Sequence, residues 1–188
     1  MTNAESAYSI EQFMADARAA VAADGVTEGC LQAIGERLRR LSGTEQLLSN
    51  SELTSMHGSE STATVLQSEG AEGLTLVLAK FTDQAPTPVH DHGAWAVACV
   101  VQGRDHYYAW ERLDDGADPE KAEVRIASER ELGPGDVTYW LDPPHDIHSQ
   151  QGIGGPVWEL ILFGKNTMIR PRHYFDPQTG NVREALPL

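Results

Sequence analysis

The chain has 188 residues, 28 of them acidic against 14 Lys and Arg, and a formal charge of −14. Such a balance leaves no cationic face of the kind that grips a phosphate backbone or an anionic bilayer, so neither nucleic acid nor membrane is expected as a partner. At 40% hydrophobic and 22% charged residues the composition is that of a globular chain, and one domain over residues 1–188 is expected.

The first third reads as a helical cover over 1–60. Ser9 followed by Gln12 fits a capping box, after which Ile10, Phe13, Met14, Ala17 and Val21 fall on one helix face. A second helix runs over Cys30, Leu31, Ile34, Leu38 and Leu41 and stops at Gly43. The opening segment has neither the basic nor the apolar stretch of a secretory signal, and no apolar run approaches the roughly 20 residues of a membrane span, so a cytoplasmic location is expected. Cys30 and Cys99 make no disulfide framework and read as small buried side chains.

From 61 the period shortens to that of strands, and a barrel is expected over 61–175. Leu74, Leu76 and Leu78 alternate with residues that are also apolar or small, as in a strand covered on both faces. Further runs at 94–101, 106–110, 124–127, 137–141 and 157–163 are separated by Gly-, Pro- and Asp-rich turns. The fold class is therefore mainly β, a jelly-roll barrel with N-terminal α-helices. Residues 176–188 read as a polar tail packed on the outside.

The informative segment is Pro88-Val-His90-Asp-His92-Gly-Ala-Trp95. Side chains alternate along a strand, so His90 and His92 share a face and can hold one cation, while Asp91 points away to hydrogen-bond a neighbour. A third nitrogen comes from the segment 135–148, where His148 is preferred over His145 because apolar Ile147 suits the opposite, packed face. Three neutral imidazoles without a carboxylate suit Fe, Zn, Ni or Cu rather than Mg or Ca. Ferrous ion with open positions can bring O2 and a substrate donor together, whereas Zn would hold a water of lowered pKa.

These residues resemble a known family. HDHGAW at 90–95, Gln102-Gly103, Gly135-Asp136-Val137 and Asp146-Ile147-His148 are similar to the two cupin motifs of the thiol dioxygenases, the cysteine and 3-mercaptopropionate dioxygenase group, on its bacterial side. The resemblance implies a cupin barrel, or double-stranded β-helix, holding non-haem Fe(II) through His90, His92 and His148. It further implies a monomer or homodimer that adds both atoms of O2 to a small thiol, a mercapto acid or cysteine-like compound, to give the sulfinate. Arg172, with Gln67 as helper and Trp95 nearby, is placed by it at the substrate. Trp95, Trp110, Trp140 and Trp158 also read as fillers of the barrel and its cover.

The departures fall on the last barrel strand. At the places where relatives carry Ser, His and a catalytic Tyr, this chain has Glu159, Ile161 and Phe163. The hydroxyl that supports the iron is gone, and loss of such a partner lowers activity or metal affinity by about 10- to 100-fold. An inward Glu159 would repel an acid, ligate the metal, or ion-pair with Arg170 or Arg172. Two alternatives stand beside the dioxygenase: a cupin of other chemistry, such as Zn-, Ni- or Mn-dependent hydrolysis or isomerisation, and a non-enzymatic sensor of a small ligand.

Overall fold

A computed structural model describes residues 8–44 and 61–187. Among the described residues two helices, α1 (Ile10–Asp24) and α2 (Glu28–Ser42), precede eleven strands. The Ser9–Gln12 capping box closes reciprocally, with Ser9 Oγ accepting from Gln12 N and Gln12 Oε1 accepting from Ser9 N. Thr27 caps α2 by accepting from Cys30 N. The expected apolar faces are the buried ones, and they join a core with Leu74, Leu76, Leu78, Val97, Cys99, Leu160 and Leu162. That core lies between the helices and the outer face of one sheet. Gly35 sets its closeness: a Cβ there would stand 2.6 Å from Val137 Cγ1, so a side chain at this turn of α2 would lift the helix off the sheet.

The strands are β1 (Thr62–Ser68), β2 (Thr75–Phe81), β3 (Val89–His90), β4 (Ala96–Gln102), β5 (Asp105–Arg112), β6 (Val124–Leu132), β7 (Val137–Trp140), β8 (His148–Gly152), β9 (Val157–Phe163), β10 (Arg172–Phe175) and β11 (Val182–Ala185). They form two sheets, ordered β1-β2-β9-β4-β7 and β11-β10-β3-β8-β5-β6, and every pairing is antiparallel. The inner strands β2-β9-β4-β7 face β3-β8-β5-β6, which is the strand order of a jelly roll, the cupin-type double-stranded β-helix. β2 lies between β1 and β9, as its two apolar faces require. The barrel interior is filled by the other parity of the same strands, Val77, Ala79, Ala96, Ala98, Val100, Ile161 and Phe163.

Part of the segment expected as a tail packed on the outside is a strand. β10 and β11 form a hairpin, and β10 pairs with β3, which adds two strands to the second sheet. Tyr174 and Phe175, which point to opposite faces of β10, are both buried, while Arg183 and Glu184 on β11 are both exposed, so β11 is the solvent-facing edge of the sheet. Among the described residues no helix is long and apolar enough to cross a membrane.

Candidate metal centre

β3, β8 and β10 are neighbours, and their register sets His90 directly opposite both His148 and Tyr174. β3 ends at His90, so His92 owes its position to more than strand alternation. The Asp146 carboxylate accepts from His92 N at 2.9 Å and from Gly93 N at 2.7 Å, which ties the chain after β3 to the turn before β8. Asp91 faces the other way, as expected, and accepts from His173 N at 2.8 Å. His148 opens β8, and His145 is exposed. His57 lies outside the described residues.

The result is three buried imidazoles whose ring centres are 4.6–4.9 Å apart and whose nearest nitrogens all lie within 4.8 Å of one another. His90 Nδ1 lies 2.8 Å from the Pro88 carbonyl and His148 Nδ1 lies 3.1 Å from the Asp146 carbonyl. A carbonyl can only accept, so each Nδ1 carries the proton and each Nε2 keeps its lone pair. His92 Nε2 and His148 Nε2 face each other at 3.4 Å, an arrangement that a cation drawing on both lone pairs relieves. Burial pushes the His90 pKa down to about 4, with the Arg172 charge adding to it and the Pro88 carbonyl opposing. Burial first, then the neighbouring imidazoles and Arg172, hold His92 and His148 well below the ordinary range. The trio is therefore neutral, which is the protonation state a metal ligand needs, and its nitrogen-only donors fit a first-row transition ion better than Mg or Ca.

Aromatic rings fix the imidazoles. Trp140 lies 4.6 Å from His148 and 5.6 Å from His92, Phe163 lies 4.8 Å from His92, and Tyr107 stacks on His148 at 5.7 Å. Trp140 donates its indole N–H to the Ala94 carbonyl at 3.1 Å, which locks its ring in place. The sequence treated Trp140 as barrel filling; its parity with Thr138 on β7 was the available signal that it faces inward.

The trio opens into a cavity of 340 Å³. Arg172, on β10 and 9% exposed, lines it from the histidine side, while Val77, Ala79, Phe81 and Ile161 line the opposite wall. The guanidinium donates to the Thr167 carbonyl at 3.4 Å, its Nε has no partner, and no carboxylate lies within ion-pair distance among the described residues. Tyr174 also lines the cavity, with its hydroxyl directed to the Leu186 carbonyl at 3.3 Å.

Phe163 lines the cavity at the place the sequence assigned it. Three other expectations need correction. Trp95 points to the helix side of β4, in the core beneath α1 and α2, because positions 95, 97 and 99 share that face. Gln67 is half-buried on β1 past a bulge between Val65 and Gln67, away from the cavity, which is lined instead by the start of the strand at 61–63. Glu159 is inward and 2% exposed, but it belongs neither to the histidine cluster nor to the cavity. It meets no arginine: Arg170 pairs with Glu72, and Glu159 Oε2 accepts from Gln150 Nε2 at 3.3 Å.

No family model matches the chain and no curated protein matches it. Among solved structures it is similar to the DMSP lyase DddQ from Ruegeria pomeroyi DSS-3, with 18% identity over 64% of this chain and 56% of that one and a TM-score of 0.44. It is similar also to a cupin superfamily protein from Desulfitobacterium hafniense DCB-2, with 18% identity, coverage of 64% and 91%, and a TM-score of 0.45. An oxalate oxidase in complex with the substrate analogue glycolate gives 16% identity, coverage of 75% and 64%, and a TM-score of 0.44. The chain thus spans little more than half the length of the lyase.

Proposed function

We propose that the chain is a metal-dependent enzyme acting on a small organic acid, and that its reaction is the oxygenation of an acid-bearing thiol to the sulfinate by O2. The observation that carries the first part is the convergence of three neutral imidazoles and one unpaired, buried guanidinium on a single cavity. The second part rests on the sequence motifs at 90–95 and 146–148.

His90, His92 and His148 would hold the ion, and ferrous ion in that place supplies the means of activating O2 toward sulfur. The chain's own groups do the rest. Pro88 and Asp146 carbonyls keep the proton on the outer nitrogen of two ligands, so that the inner nitrogens stay available. Arg172 fixes the acid group of the substrate through a charge-assisted hydrogen bond and thereby turns its far end toward the histidines. The apolar wall of Val77, Ala79, Ile161 and Phe163 keeps water from the space between them. Phe163 offers no proton, so the overall change, R–SH plus O2 to R–SO2H, proceeds without a hydroxyl from that strand.

Anaerobic loading with Fe(II), followed by O2-uptake assays with 3-mercaptopropionate, cysteine and cysteamine, tests the reading. Thiol-dependent uptake that disappears with Arg172→Gln for the acids is the expected result. Zn or Mn at one equivalent in protein purified without added metal, with no thiol oxidation after iron loading, favours the hydrolase or isomerase reading that Phe163 suggests.

A further inference from the structure

The cavity is unlike the rest of the molecule in charge. The chain carries 28 acidic residues, yet among the described residues no Asp or Glu lines the cavity, and Arg172 is its one permanent charge. A ligand carboxylate finds a charged partner there, while a ligand ammonium finds no anionic one among the described residues and stands in the field of the guanidinium.

Size and polarity add a second constraint. At roughly 30 Å³ for each water in the liquid, a volume of 340 Å³ has room for about ten non-hydrogen atoms. A three-carbon mercapto acid fills about half of that space. The wall opposite the histidines is Val77, Ala79, Phe81 and Ile161, and Phe163 and Met168 add to the apolar lining; none of these offers a polar side-chain group. Ser61, Thr62, Thr82 and Thr87 also line the cavity, but they come from chain outside β2 and β9, the strands that supply most of that wall. A ligand held at Arg172 and the histidines therefore has to cover an apolar surface.

We propose that the site takes a monocarboxylate with no ammonium group and with an apolar body of ring or branched-chain size, larger than a three-carbon mercapto acid. The proposal rests on the reading of the site as one for an acid substrate and names the class of that acid. The carboxylate sits on Arg172, the reacting group faces His90, His92 and His148, and the apolar body lies on β2 and β9.

Four compounds of matched skeleton test it by titration calorimetry on the full-length protein: 3-phenylpropanoate, its neutral amide 3-phenylpropanamide, phenylalanine, and propanoate. The expected result is 3-phenylpropanoate binding at least about tenfold tighter than each of the other three, and within about twofold of the amide once Arg172→Gln is made. Equal binding of propanoate or of phenylalanine overturns the proposal, as does no binding of 3-phenylpropanoate at millimolar concentration. The wild-type comparison stands whether or not the variant folds. Elemental analysis and O2 uptake with 3-mercaptopropionate on the same samples separate this from the catalytic reading. Selective 3-phenylpropanoate binding by metal-free protein keeps the ligand class and removes the catalysis; turnover with indiscriminate binding of the four does the reverse.

Discussion

The barrel interior holds two polar clusters, and they solve the problem of burial in opposite ways. At one end His90, His92 and His148 shed their protons; along β9, four residues from Phe163 and about 13 Å from it by strand rise, Glu159 is buried close enough to Asp105 for its charge to be felt there, and both are driven to keep theirs. Burial is the first cause in each case, and for Asp105 the Glu159 charge is the second. A buried group avoids charge by whichever route its chemistry allows, but the consequence differs. Neutral imidazole presents a lone pair to the cavity, whereas a protonated carboxyl has lost most of its power to bind a cation. Asp105 and Glu159 are 0% and 2% exposed and do not line the cavity that the histidines line, so the acid cluster is closed to it where the histidine cluster is open.

The sharpest break would come from the open cluster. His148→Ala removes one of three nitrogens and leaves no open-sided trio, so metal content after purification should fall by more than about 100-fold in apparent affinity, read by elemental analysis and chelator competition. Retention of one equivalent would show that the ion, if any, sits elsewhere. A smaller loss is expected from Asp146→Ala, which leaves all three ligands but frees the backbone at His92 and Gly93. Affinity should drop about 10- to 100-fold with the fold intact by circular dichroism.

Asp146 also shows where sequence legibility ends. The trio was legible because HxH and the later His sit in motifs, although His92 lies past the end of β3 and is held there by Asp146. The elements followed from period and punctuation, down to the Ser9 cap. What stayed hidden depends on contacts between distant segments: that a carboxylate 54 residues on holds His92, or that Arg172 lies on a strand beside β3. The hairpin of β10 and β11 escaped notice because its four-residue strands mix charged and apolar residues, too short a run for alternation to stand out. Trp95 was misplaced by motif although its parity with Val97 and Cys99 was available.

The closed cluster makes a pH prediction of definite sign. Folded-state pKa values of Asp105 and Glu159 are raised, so well below about pH 4 both folded and unfolded chains keep these two protons. Above that these two carboxyls ionise first in the unfolded chain, so their contribution to stability falls as pH rises until the folded pair ionises too, while the lowered pKa values of His90, His92 and His148 act in the opposite direction. Glu159→Gln keeps an acceptor for Gln150 and removes one of the two protons. Urea unfolding from pH 4 to 8 should therefore show the stability of the variant relative to wild type rising with pH, by up to about 1.4 kcal/mol per pH unit. Metal content should not change. Parallel slopes would mean that the pair is ionised in the folded state, and the contrast between the two clusters would vanish.

The smallest effect belongs to the residue between them. Ile161 alternates inward between Glu159 and Phe163, is 6% exposed, and packs with Val77, Ala98 and Phe163, so it forms an apolar layer separating acid pair from histidines. Ile161→Val removes one methylene from that layer at a cost of about 0.5–1.5 kcal/mol in unfolding free energy. The substitution adds no charge, hydrogen-bonding group or titrating proton, so the variant should leave both metal content and the pH slope unmoved. A change in the pH slope on Ile161→Val would mean that water or charge passes between the clusters through this layer, and the acid pair would then belong to the chemistry of the cavity rather than to the packing beneath it.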